Sequence, residues 1–502
     1  MLSHRYSTIR GAVHQAGAPR RRPGAAGAAR PAPARIAASH PLARSEENAR
    51  LFDYECRVKD SFDGIVPTLK RISALQHECD FEARAQGLAR DELGFELPQE
   101  ILADAWVEQL DMRRLFAWCL FQTYRRFCDE FFTADPLGAR DDDGFQGLLQ
   151  ECGFHLLDVS PCADGRLAHV IRYVFRLPFR VVRRKSYAGA LFDIQDSLDK
   201  WTETELLRYR EGRPNAADAP TRYLKAVVYH YSSSDPGREG CAAHGSDARV
   251  AARAGLERLE SFRQAVQNTY CCGASIDLLL IGLDTDTDAI RVHAPGGDGG
   301  IALENYIDAA RLYDLTRPLT AQQGRERIAA SVQEAAPDAP AGMRRMISQL
   351  LEHNLSQIDY VRRYRNGRYS DIGHAERFIG VGKGFEEVQL RNLTYFAYLD
   401  TVEEAVPDLD VGVKIFSRLN VAHGLPIPVV VRFDYQGHVP GARERAVAQC
   451  GRVAAAIGDR YADLAGRGLL HTLLSVRDCA AGGAIEVLGC SVTDPAGGGT
   501  RR

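Results

Sequence analysis

Two strand-length apolar runs, each ending at a cluster of turn-forming residues, constrain this 502-residue chain more than any other feature. HLLDVS (residues 155–160) clusters apolar residues and stops at Pro161, whereas YLKAVVYHY (residues 223–231) is β-branched and aromatic and runs into SSSDPG (residues 232–237). Apolar residues at helical spacing resume over 167–179. Strands alternating with helical stretches predict an open α/β sheet, and in such sheets ligands gather in the crevice beyond the strands' carboxyl ends. Cys162 stands just past the carboxyl end of the first run and His230 at that of the second, so both are predicted on one rim. Cys241 lies in the loop after the second strand, close enough to fold back.

The loop PCADGR brings chemistry to that rim: Cys162, Asp164 and Arg166 put a thiolate, a carboxylate and a guanidinium on one short segment. Cys162, Cys241 and His230 offer the sulfur and nitrogen donors that zinc takes in a tetrahedron. Three protein ligands leave one position for water, which is the arrangement of a catalytic rather than a structural site. Asp164 is placed to orient that water, and Arg166 to keep the carboxylate ionised through a bidentate pair; a free Asp164 would itself reach the metal and close the open position.

Several nearby residues compete for these roles. Cys152 and His155 form a C-x-x-H pair, but they precede the strand or lie within it and are expected in the core. His244, in CAAHGSD, is the stronger competitor, either a ligand or the neighbour of one. Adjacent Cys271 and Cys272 are expected to pack before the strand IDLLLIGLD (residues 276–284). Asp284, Asp286 and Asp288 resemble a calcium loop, yet Ala289 stands where that loop needs Gly and Pro295 where it needs Glu. His374 and Glu376 supply the H-x-E of a zinc deaminase, but the accompanying P-C-x-x-C fails because Gly165 replaces the second Cys. His374 is therefore expected to be a structural hydrogen-bonding residue at a loop-to-helix junction.

Length suggests about three domains. A net charge of −3 argues against nucleic acid as the main partner. No apolar run approaches the ~18 residues of a membrane span, and 12 Cys at irregular spacing are better read as reduced thiols than as a disulfide framework. Residues 1–45 contain Arg5, Arg10, Arg20, Arg21, Arg22, Arg30, Arg35 and Arg44 with no acidic residue, among Ala, Gly and Pro. Such a segment is predicted to be a disordered basic tail suited to an acidic partner. Residues 46–144 turn helical, and Phe116, Leu120, Tyr124, Phe127 and Phe131 line one helix face as core.

CGFHLLDVSPCADGRL, RYREGRPNAADAPTRYLK, CAAHGSD, CCGASIDLLLIGLDTDTDAIRVH, NLSQIDYV and GHAERF together resemble the carboxysomal shell carbonic anhydrases, a divergent β-class family, over roughly residues 46–494. The eleven-residue step from His230 to Cys241 is longer than the H-x-x-C of ordinary β enzymes and points to this branch. The resemblance implies reversible hydration of CO2 to bicarbonate, with one zinc per chain on Cys162, His230 and Cys241, and Asp164 and Arg166 as the catalytic pair. It also implies a place inside the carboxysome supplying CO2 to Rubisco, a tail that binds Rubisco or shell proteins, and a homodimer or higher homo-oligomer. Shifted by 204 residues, AVVYHYSSSDPG (226–237) overlays VVRFDYQGHVPG (430–441), with His230 becoming Asp434 and Cys241 becoming Arg445. A duplicated α/β fold follows, one copy active and one degenerate, which the resemblance also implies. The expected organisation is a tail over 1–45, a helical domain over 46–144, a zinc domain over 145–386 and a degenerate copy over 387–502. The alternatives are a non-catalytic shell scaffold, which predicts a decayed first site, and a zinc hydrolase, which needs a wide cleft beside the metal.

Overall fold

The computed structural model describes residues 38–493, apart from 139–141, 179–181, 217, 271–274, 398–401 and 483. The basic segment 1–37 and the pair Cys271 and Cys272 lie outside the described residues. Residues 38–44, expected in the tail, are packed instead. The His40 N–H donates to Asp359 Oδ1 at 3.0 Å, its ring meets Thr316 Oγ1 at 3.0 Å, and Leu42 is buried.

Helices dominate as far as Met112–Ala134. That helix starts at Asp111, whose carboxylate caps the backbone N–H groups of Arg113 and Arg114, and stops where Asp135 turns left-handed at φ 40°. The stripe from Phe116 to Phe131 is buried, as its spacing predicts. Two sheets follow. The first contains β1 (Leu156–Pro161), β2 (Arg183–Arg184), β3 (Arg222–Tyr231), β4 (Ser275–Asp284), β5 (Ile290–Pro295) and β6 (Ile301–Asp308), in the order β2-β1-β3-β4-β5-β6. β2, β1, β3 and β4 run parallel, and β5 and β6 antiparallel. β3 sits centrally and is buried along almost its whole length, which is why its sequence is a run and not an alternation. The helical spacing over 167–179 resolves into a 3-10 turn, Gly165–Leu167, and a π turn, Val170–Val174. His169, Arg172 and Arg176 of this segment are buried against Asp288, Glu386 and Glu47, a tertiary demand that periodicity does not record.

The second sheet contains β7 (Phe378–Lys383), β8 (Thr394–Ala397), β9 (Ile427–Tyr435), β10 (Leu470–Asp478) and β11 (Glu486–Cys490), ordered β8-β7-β9-β10-β11. It begins at Phe378, ahead of the boundary expected at residue 386. β8, β7, β9 and β10 are parallel and β11 is antiparallel, so strand order and direction repeat those of β2-β1-β3-β4-β5. The match extends to single hydrogen bonds. Ser233 N–H donates at 3.1 Å to Oδ1 of Asp284, the last residue of β4, and Gly437, its counterpart at the 204-residue shift, donates at 2.9 Å to Oδ1 of Asp478, the last residue of β10. Pairing with β9 puts Gly382 where Pro161 pairs with β3, and the 3-10 turn Glu386–Val388 takes the place of Gly165–Leu167. One face of the second sheet packs Phe378, Val430 and Leu473 against the N-terminal helices, and another apolar layer joins it to helix Ala442–Arg460.

Burial holds His293 and His471 down to about 4 and His353 down to about 3. The unfolded chain takes up protons on these rings below about 6.5, while the native chain does not. Stability should therefore fall as pH drops from 6.5 towards 4, measured as a falling urea midpoint. His353→Leu should flatten part of that slope.

Candidate metal centre

β1 ends at Pro161, and the next residue, Cys162, still donates its N–H to Val228 O of β3 at 3.2 Å. That bond fixes the thiol beside the end of β3, where His230 pairs with Leu283 of β4. Cys241 opens the turn Ala242–His244, and its carbonyl accepts the N–H groups of His244 and Ser246. Ligand atoms of Cys162, His230 and Cys241 all lie within 4.8 Å of one another, and the three residues are 5 %, 1 % and 3 % exposed. Hydrogen bonding between the sulfurs, then burial, raises the Cys162 thiol well above its usual value, while the same bond lowers Cys241. His230 Nδ1 is buried without a hydrogen-bond partner among the described residues. Two thiols, an imidazole and an orphaned buried ring nitrogen are a donor set that fits zinc.

Asp164 and Arg166 meet as a two-pronged pair, Nε to Oδ1 at 2.9 Å and Nη2 to Oδ2 at 2.7 Å. Burial opposes ionisation of Asp164, but Arg166, His374 and His230 together hold its carboxyl well below the usual carboxylate range. Arg166 also donates through Nη1 to the carbonyls of Glu239 and Ile372. Oδ2 of Asp164 is 3.3 Å from His230 Nε2, so the carboxylate borders the metal cluster while both of its oxygens are held by Arg166.

The competing residues go elsewhere. His155 Nδ1 accepts the Arg222 N–H, Cys152 is core, and His244 bonds the Gly189 carbonyl at 3.1 Å. Asp284 and Asp286 accept hydrogen bonds from Ser232, Ser233 and Ser234, which fastens the loop after β3. His374, expected to be purely structural, faces Asp164 Oδ2 at 3.8 Å through Nε2 and holds Glu376 Oε1 at 2.9 Å through Nδ1. Glu376 went unassigned; the H-x-E spacing was its only signal. Its Oε1 also accepts the Gly165 N–H at 3.1 Å, while the Gly165 carbonyl accepts the Asn392 N–H at 2.8 Å. A Cβ at Gly165 would sit 2.4 Å from Glu376 Cγ, so only glycine fits there.

In the second sheet all five positions differ. Strand pairing and the matched turns place Lys383, Phe385 and Glu387 where Cys162, Asp164 and Arg166 stand, with Asp434 and Arg445 for His230 and Cys241. Asp434 is paired with Arg432, Glu387 is fully buried on the same guanidinium, and Arg445 donates to the Pro440 carbonyl. A cavity of about 430 Å3, lined by Gly382, Phe385, Asp434 and Arg477, lies at this end of the sheet.

A parallel sheet whose rim gathers two cysteines and a histidine beside an Asp–Arg pair, repeated once without them, defines a β-class carbonic anhydrase fold. Family models of the carboxysome shell carbonic anhydrase match the chain in three parts: N-terminal over residues 40–132, catalytic domain over 144–374 and C-terminal over 375–492. Proteins named carboxysome shell carbonic anhydrase are similar over about nine-tenths of the chain. That of Prochlorococcus marinus (strain MIT 9313) is 59% identical over 458 residues, 90% of this chain and 89% of the relative. That of Parasynechococcus marenigrum (strain WH8102) is 57% identical over 91% and 80%, and that of Halothiobacillus neapolitanus (strain ATCC 23641 / c2) 46% identical over 89% of each. The chain belongs to the carboxysome shell carbonic anhydrase family, and it is an enzyme of the carbonic anhydrase class, a lyase.

Proposed function

We propose that the chain hydrates CO2 reversibly at one zinc held by Cys162, His230 and Cys241, with Asp164 and Arg166 as the residues that orient the reacting water. The observation that carries this reading is the convergence of the three ligand atoms within 4.8 Å beside an ion-paired Asp164 and Arg166. When bound, zinc supplies the Lewis acidity that lowers the pKa of water from about 15.7 to about 7. Asp164 Oδ2 would accept a hydrogen bond from the reacting water and so turn the water's oxygen lone pair towards the carbon of CO2. Arg166 grips both carboxylate oxygens, which keeps Asp164 off the metal position. The near-complete burial of all three ligands suits a substrate as small as CO2. The complete five-residue set speaks against a scaffold that has lost its chemistry.

The relatives' names place them in the carboxysome shell, and we assign this chain to the same compartment, where it would supply CO2 to Rubisco. The basic segment 1–37 is then the part we assign to an acidic partner, Rubisco or a shell protein. We place the division of the chain near residue 375, before β7, with a zinc-bearing copy ahead of it and a metal-free copy after it. The test is Asp164→Asn. It should keep one zinc per chain and lose about 10- to 100-fold in turnover, read by metal analysis and a CO2-hydration assay. Wild-type turnover in the variant would overturn the role of Asp164.

A further inference from the structure

Beside the three-ligand cluster, two titratable side chains that the chemistry above leaves unused, His374 and Glu376, converge on Asp164, which it does use. Asp164, His374 and Glu376 each offer an atom within 4.8 Å of the others. The Glu376 side chain is fully buried, and its Oε1 accepts both His374 Nδ1 and the Gly165 N–H. Oε1 already acts as acceptor to the Gly165 N–H, so the ring's Nδ1 is the donor to it, and Nε2 is left as the base, 3.8 Å from Asp164 Oδ2. The His374 side chain is 24 % exposed, against 6 % for Asp164 and 1 % for Arg166. The ring therefore lies against the buried Asp164 while part of it is open to solvent.

We propose, resting on the CO2-hydration reading above, that His374 carries the reaction's proton between the site and buffer, and that Glu376 is a positioning residue that fixes its tautomer and aim. Hydration of CO2 by water yields bicarbonate and one proton. That proton adds to the lone pair of neutral His374 at Nε2, and the imidazolium returns it from the same atom to a buffer base. No bond to carbon forms or breaks at His374. Asp164, locked on Arg166, accepts hydrogen bonds and is not the carrier. The charged groups facing the ring are Asp164 and Arg166 from the loop after β1 and Glu376 from its own segment. Burial lowers His374, but the two carboxylates outweigh it and lift the ring to about 9, with Arg166 opposing. The relay therefore accepts protons best at alkaline pH, and turnover should rise towards pH 9.

The experiment uses full-length, zinc-loaded protein. His374→Ala should keep its zinc, keep kcat/KM and CO2–bicarbonate isotope exchange at equilibrium within about twofold, and lose about 100-fold in kcat. Added imidazole should restore most of that loss. Glu376→Gln should show a smaller kcat loss with the same rescue. Independently of turnover, histidine NMR should show His374 titrating at lower pH in Glu376→Gln than in wild type, with His374→Ala identifying the signal. If kcat and kcat/KM fall together without imidazole rescue, or kcat is unchanged, the relay is wrong. An unshifted His374 titration in Glu376→Gln removes the role of Glu376. Wild-type protein that binds zinc but exchanges no label would overturn the underlying reading instead.

Discussion

Cys162→Ala protein should come off purification without zinc, and its CO2-hydration turnover should fall by about 1000-fold or more. The expectation follows from the geometry of the cluster. Cys162 is fixed by its backbone bond to β3, and with its sulfur gone only His230 and Cys241 remain to hold the ion. The substitution itself removes one small buried atom, so the fold should survive it. Metal analysis and circular dichroism on the same sample separate loss of metal from loss of structure. One zinc per chain with undiminished turnover in Cys162→Ala would refute the ligand assignment.

The second large effect concerns stability. Arg432 lies fully buried and donates to Glu387 at 2.7 Å, to the Tyr124 hydroxyl at 3.0 Å and to both oxygens of Asp434. Arg432→Met should strand the Glu387 carboxylate in the interior and cost about 3–5 kcal/mol in chemical denaturation. The double variant Arg432→Met/Glu387→Met should recover much of that, because the penalty comes mainly from the unpaired charge. Zinc content should not change in either protein. Equal instability of the single and double variants would mean that the loss is one of packing.

The rim was legible in the sequence because strand ends and breakers are local signals: Pro161 and SSSDPG mark where β1 and β3 stop, and Cys162 and His230 follow from that. The duplication was visible only as a twelve-residue overlay. Its full extent needed strand pairing, since Gly382 aligns with Pro161 through hydrogen bonds to β9 and not through any likeness of residues. The packing of residues 38–44 was hidden for a similar reason: composition recorded Arg44 and the absence of acids nearby, but not that Asp359, far along the chain, would receive His40. His374 and Glu376 escaped because an H-x-E string is uninformative until the fold sets it against Asp164.

The Gly165 N–H donates to Glu376, and the Gly165 carbonyl accepts from Asn392 as well as from Ala168 of its own loop, so two of these bonds are made with chain beyond residue 374. The loop that carries the proposed ligand Cys162 is thus completed by the second copy of the fold, tethered at a fixed effective concentration that dilution cannot lower. A fragment ending at residue 374 should keep every proposed ligand and still lose the support that shapes them. Retaining a second copy that lacks the five site residues is, on this view, what lets one chain build a loop that two separable chains would otherwise have to meet to build.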